Sequence, residues 1–104
     1  MKTTTGVQAA KPPRSGRKSV TFRFKAGPER NVRLAGTFNG WKPDKHGLRY
    51  VPSEGGHRLT LLLPPGTYEY KFIVDGAWHL DPLCSATVPN RFGGLNNVVA
   101  VGSA

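Results

Sequence analysis

Hydrophobic and polar residues alternate in short runs along most of this chain, and glycine and proline separate the runs. Val20, Phe22 and Phe24 alternate with Thr21, Arg23 and Lys25, the period of a strand with one face buried. Gly27 and Pro28 end that run, and Arg30–Ala35 reads as a second strand with Val32 and Leu34 inward. The segment Gly36-Thr37-Phe38-Asn39-Gly40-Trp41 predicts a sharp turn, because Asn-Gly readily takes positive φ. Leu48–Val51 is a short third strand, followed by a Gly55-Gly56 turn. His57–Leu63 is a fourth, closed by Pro64-Pro65-Gly66. Thr67–Val74 has the strongest pattern, with Tyr68, Tyr70, Phe72 and Val74 on one face. Asp75-Gly76 is a preferred pair for a type I′ hairpin turn, and Trp78–Leu80 is the return strand. Asp81–Leu95 reads as a loop with some turn character, and Asn97–Val101 as the last strand.

About seven short strands with turn signals between them predict an all-β, immunoglobulin-like sandwich of antiparallel strands. No stretch sustains apolar spacing at three and four residues, and thirteen Gly and nine Pro in 104 residues oppose a helical fold. That length supports one domain.

The Asp-Gly hairpin carries a further deduction. A two-residue loop sets Val74 opposite Ala77 and Ile73 opposite Trp78. Alternation puts Ile73 on the face away from Tyr70 and Phe72, so Trp78 and Lys71 point outward if the Tyr/Phe/Val face is the core. Two readings of Trp78 stand at this point: it packs under the Asp81–Leu95 loop, or it is a ligand platform. Trp41, in its turn, is either a satellite core residue or a second platform.

Charge is unevenly spread. The formal net charge is +9; residues 1–18 hold five bases and no acid, and the rest hold ten bases and six acids. Residues 1–18 therefore read as a basic, disordered tail, and 19–104 as the folded domain. The tail has no aromatic residue to stack on a base, which weighs against nucleic acid as the partner. Cys84 is the single cysteine, which excludes an intramolecular disulfide, and it reads as a small half-buried hydrophobe. No run approaches the roughly 18 apolar residues of a membrane span, and no apolar block follows Lys2 as in a signal peptide. The expectation is a cytoplasmic protein without a membrane partner.

Four motifs then occur in order: Gly36–Trp41, the run Pro65–Trp78, Asp81-Pro82, and Asn96-Asn97-Val98-Val99. From about Ser19 to Val101 the chain resembles the glycogen-binding domain of AMP-activated protein kinase β subunits. More broadly it is similar to carbohydrate-binding module family 48, the early-set domain found before the catalytic barrels of isoamylases and glycogen branching enzymes. The resemblance implies an early-set β-sandwich that binds α-1,4-glucan: glycogen, starch, maltooligosaccharides or cyclodextrin. It also implies a possible partner among glycogen-metabolising enzymes or kinases. Carried over residue by residue, it makes Trp41 and Trp78 sugar-stacking platforms and Lys71 and Asn96 hydroxyl-binding residues. Phe92 would be the apolar loop residue that pierces a cyclic oligosaccharide. Two platforms a few sugar widths apart would favour a helical glucan over a flat chain.

Catalysis is not expected. Glycoside hydrolysis usually needs two carboxylates about 5–10 Å apart in a cleft, and no motif places such a pair among Glu29, Asp44, Glu54, Glu69, Asp75 and Asp81. The last two read as turn residues. His46, His57 and His79 lack metal-ligand spacing, so neither a metal nor a cofactor is implied. The competing reading is a protein-interaction or regulatory module without sugar binding, in which the two tryptophans anchor an interface.

Overall fold

The computed structural model describes residues 16–102 as two antiparallel sheets. Among the described residues eight strands run in chain order: β1 Lys18–Phe24, β2 Val32–Gly36, β3 Arg49–Val51, β4 Gly56–Leu63, β5 Gly66–Val74, β6 Ala77–His79, β7 Thr87–Pro89 and β8 Leu95–Val101. The first sheet has the order β1-β4-β3 and the second β2-β5-β8-β7, with β6 paired to β5. The β5 strand is central: β2 lies along one edge at residues 70–74. Along the other edge β8 pairs residues 66–70 and β6 continues over residues 72–74. Among the described residues the only helical elements are short 3-10 turns, and no helix is long and apolar enough to cross a membrane.

The sheets meet through the alternating residues that the sequence points to. Phe22, Val32, Leu34, Tyr70, Phe72 and Val74 form the buried cluster, with Val20, Phe24, Leu59, Leu61 and Val99 packed on it. Aromatic edges join the layers: Phe22 meets Tyr70 at 4.9 Å between centroids, and Phe24 meets Phe72 at 5.2 Å. Both pairs are edge-to-face, the arrangement that ring quadrupoles favour.

Strand boundaries differ from expectation by one or two residues, and β1 opens at Lys18, inside the segment expected to be tail. Residues 1–15 of that tail lie outside the described residues. The larger difference is β7. Thr87–Pro89 pairs with Leu95–Asn97, so the expected 81–95 loop contains a hairpin. Its strand is three residues long and ends in proline, tolerable because β7 is a sheet edge where an amide donor is not needed.

Residues 81–86 are sealed onto the sheet by a buried polar network. Asn97, wholly buried on the inner face, accepts from the Asp81 amide at 2.7 Å and donates to the Cys84 carbonyl at 3.1 Å. Asp81 accepts from the Tyr70 hydroxyl at 2.7 Å and from the Leu83 amide at 2.9 Å. Asp81 is thus the turn residue expected, and also a buried anchor. Burial, reinforced by the bond to Asp81, pushes the Tyr70 hydroxyl far above the usual phenol range, so it stays a donor. Cys84 is half-buried, its thiol near the Val98 carbonyl at 3.5 Å.

The Asp75-Gly76 turn has φ of 51° and 85°, both left-handed as a type I′ turn requires. The observed pairs Val74–Ala77 and Ile73–Trp78 match the deduced register. Asp75 also fastens this turn to the β1–β2 connection: its carboxylate accepts from the Asn31 amide at 2.8 Å and pairs with Arg30. The Asn31 amide bond, then Arg30, holds its carboxyl below the ordinary range.

Two predictions follow from these anchors. Asn97→Ala strands the Asp81 amide and the Cys84 carbonyl in the interior, and urea unfolding should show a loss of about 2–4 kcal/mol; a loss under about 1 kcal/mol would contradict the buried network. For Asp75 the folded pKa is depressed, so its contribution is present above the unfolded carboxylate value of about 3.9 and disappears as pH falls through the folded one. The stability gap between wild type and Asp75→Asn should therefore be constant near neutrality and close in acid. A gap that widens in acid refutes the assignment.

Candidate functional site

The face of β5 opposite Tyr70, Phe72 and Val74 carries Glu69, Lys71 and Ile73; the first two are half-buried and Ile73 is buried. Ile73 has Arg33 opposite on β2 and Trp78 opposite on β6, while Lys71 has Ala35. Trp78 is 52% exposed, so it does not pack under the Asp81–Leu95 loop.

Trp41 reaches the same place by a constrained turn. After β2 the chain makes a 3-10 turn over Thr37–Asn39, then places Gly40 at φ 67° and Trp41 at φ 61°. Positive φ thus falls on Gly40 and Trp41, not on Asn39. The left-handed conformation costs a non-glycine residue about 1–2 kcal/mol. The turn is over-determined by Asn39, which is buried and uses both ends of its amide. Its Oδ1 accepts from the Gly36 amide at 3.1 Å and the Lys42 amide at 3.2 Å. Its Nδ2 donates to the Leu34 carbonyl at 3.1 Å and to His46 Nδ1 at 2.9 Å, which places the histidine proton on Nε2. The Trp41 amide closes the turn on the Gly36 carbonyl at 2.9 Å. Gly36 itself tolerates no side chain: a Cβ would sit 2.6 Å from the Glu69 carbonyl oxygen.

The two indoles lie 6.4 Å apart between ring centroids, with planes inclined by 52°. That separation is within the range of a direct aromatic pair. They therefore form one bent surface, correcting the expectation of platforms a few sugar widths apart. Trp41 is half-buried and Trp78 is the more open ring.

Of the remaining expected site residues, Lys71 and Asn96 fall on the face of Glu69, and Phe92 lies in the loop that Asn90 ties to Asn96. Lys71 is half-buried, between Ile73, which pairs with Trp78, and Glu69. Asn96 is only 7% exposed, donating to Glu69 Oε1 at 3.0 Å and accepting from Asn90 Nδ2 at 3.1 Å. It is a knitted part of the surface, not a free side chain. Phe92 is 84% exposed in the β7–β8 loop, beside the Arg91 guanidinium at 5.2 Å from its ring centroid. The structure thus brings Trp41 and Trp78 together and gathers Asn96 with the Phe92 loop in a second cluster, with Lys71 on the strand between.

Asn39, Glu69 and Asn90 were not singled out from the sequence as site residues. Glu69 was signalled by its alternation with Lys71, and Asn90 by its place between Pro89 and Gly93-Gly94, a turn composition. Among the described residues no three His, Cys, Asp or Glu side chains gather as a metal site would need.

The chain is similar to several curated proteins. It is 42% identical over 74 residues to Protein FLOURY ENDOSPERM 6, chloroplastic, of Oryza sativa subsp. japonica, covering 71% of this chain and 13% of that protein. It is 35% identical over 82 residues to the 5'-AMP-activated protein kinase subunit beta-1 of Sus scrofa, covering 79% of this chain and 62% of that sequence. With the beta-1 subunit of Rattus norvegicus it shares 36% identity over 91 residues, covering 88% of this chain and 31% of the subunit. The chain thus spans less than two thirds of each of these relatives. Residues 18–104 match the model described as the glycogen recognition site of AMP-activated protein kinase, and the chain belongs to that family.

Proposed function

We propose that this chain is a non-catalytic α-glucan-binding module that stacks glucose units on Trp41 and Trp78. The observation that carries this reading is the indole pair, 6.4 Å apart and inclined by 52°, standing on two pinned turns outside the core. A glucose ring presents patches of C–H bonds, and an indole face offers a broad, weakly negative counterpart. A bent pair of indoles suits consecutive glucose units of a curved α-1,4-glucan better than a flat chain. Lys71, on the same face, can donate up to three hydrogen bonds to sugar hydroxyls.

The acidic residues support binding over hydrolysis. Glu54 pairs with Arg58 and Arg23, Glu69 accepts from Asn96, Asp75 holds its turn, and Asp81 is buried under Tyr70. These bonds give four of the six carboxylates structural partners. Glycogen, starch and maltooligosaccharides are the proposed ligands, with cyclodextrin as a compact probe, and a cytoplasmic location remains the proposed setting. The kinase-subunit relatives support association with a kinase or a glycogen-metabolising enzyme as the wider role.

Titration with maltoheptaose should quench intrinsic tryptophan fluorescence, with Kd in the high-micromolar to millimolar range, since roughly 1–2 kcal/mol per stacked ring and about 1 kcal/mol per hydrogen bond from Lys71 and Asn96 total about 4–6 kcal/mol. Trp41→Ala and Trp78→Ala should each abolish most binding with little change in melting temperature. Lys71→Ala should weaken it by about two- to tenfold, the value of one or two hydrogen bonds. Added salt should leave the affinity nearly unchanged, unlike capture of a polyanion. Absence of both quenching and binding heat at millimolar sugar would refute the proposal.

A further inference from the structure

The second cluster has a polarity of its own. Asn96 and Asn90 are both amides, and an amide side chain can be turned end for end. Glu69 cannot: its carboxylate only accepts. Asn96 must therefore present Nδ2 to Glu69 Oε1, the 3.0 Å contact, which leaves Oδ1 toward Asn90. Asn90 must then present its own Nδ2 there, at 3.1 Å, which leaves Asn90 Oδ1 facing the loop. That oxygen accepts from the Phe92 amide at 2.9 Å and from the Gly94 amide at 3.1 Å. Backbone bonds finish the loop: Asn90 donates to the Gly94 carbonyl at 2.9 Å, and Gly93 takes φ 87°. Backbone amides can only donate, so both ends of this chain of bonds have fixed polarity and both amides are oriented by them.

We infer that Glu69 and Asn90 are positioning residues for sugar binding: one carboxylate on β5 orients the Asn96 amide and, through Asn90, sets the loop that carries Phe92. This rests on the α-glucan reading above. With one Nδ2–H given to Glu69 and one Oδ1 lone pair to Asn90, Asn96 keeps one donor and one acceptor for a sugar hydroxyl. Glu69 is two residues from Lys71 on the same face, so the positioned amide and the lysine serve neighbouring hydroxyls of one bound chain.

Four variants test this by maltoheptaose calorimetry, with melting temperature followed in parallel. Glu69→Ala removes the orienting acceptor. Asn90→Asp keeps an oxygen for the loop amides but turns the donor to Asn96 into an acceptor. Each should raise Kd about three- to tenfold, as loss of a hydrogen bond implies, at nearly unchanged melting temperature. The double variant should be little worse than the weaker-binding single, because both act through Asn96. Glu69→Gln still offers an acceptor and should bind within about twofold of wild type. Wild-type affinity in Glu69→Ala and Asn90→Asp, independent losses in the double variant, or a Glu69→Gln defect equal to that of Glu69→Ala overturns the inference. So does a loss of binding that tracks melting temperature across the set, which would make the residues purely structural. Wild type that binds no maltoheptaose removes the proposed function instead, and this inference with it.

Discussion

Because side chains alternate along Gly66–Val74, one strand serves both the interior and the candidate site, and neither can move without the other. Tyr70, Phe72 and Val74 enter the core, and Glu69, Lys71 and Ile73 form the outer row against which Trp78 and Asn96 are set. A slip of one residue would exchange the rows, burying Lys71 and exposing Phe72. The aromatic pairs Phe22–Tyr70 and Phe24–Phe72, with the Asn97–Asp81–Tyr70 network, fix that register from the inner side. The outer row is therefore placed by interactions on the opposite face of the sheet, which would pre-organise it for the proposed ligand.

On this frame the indoles are delivered by the two places where, among the described residues, a non-glycine residue adopts positive φ, Trp41 and Asp75. Strain of this kind persists where surrounding bonds over-determine it, and it tends to collect at functional sites. At Trp41 the Asn39 amide supplies those bonds; at Asp75 the Asn31 amide and Arg30 do. Two otherwise unrelated turns, one after β2 and one after β5, bring indoles 37 residues apart in sequence into contact range. Under the proposed stacking, rings held in place in advance would spare a weak stacking energy the cost of immobilising them at binding.

The alternating strands and the hairpin register were legible because they depend on local period and turn chemistry. Ile73 opposite Trp78 needed only a two-residue loop and a period of two. β7 was not legible: Thr87-Val88-Pro89 is too short to show a period, and its proline argues against a strand until its edge position is known. The separation of the tryptophans was misjudged because it depends on how the Gly36–Trp41 turn folds back, which composition does not encode. Asn39, Asn97 and Asp81 read as turn or polar residues and proved to be buried connectors: Asn97 and Asp81 bond to each other and to Tyr70 and Cys84 across the paired strands, while Asn39 ties its own turn to His46. The Glu69–Asn96–Asn90 chain joins β5 to the β7–β8 loop and has the same cause: it exists only once the strands are paired.

The central claim is that Trp41 and Trp78 act as one surface. Two-dimensional NMR of the two indole Nε1–H signals during a maltoheptaose titration tests it most directly. A single bent platform requires both signals to shift together along one saturation curve. If one indole responds alone, or neither responds while the sugar binds elsewhere, the platform does not exist as described.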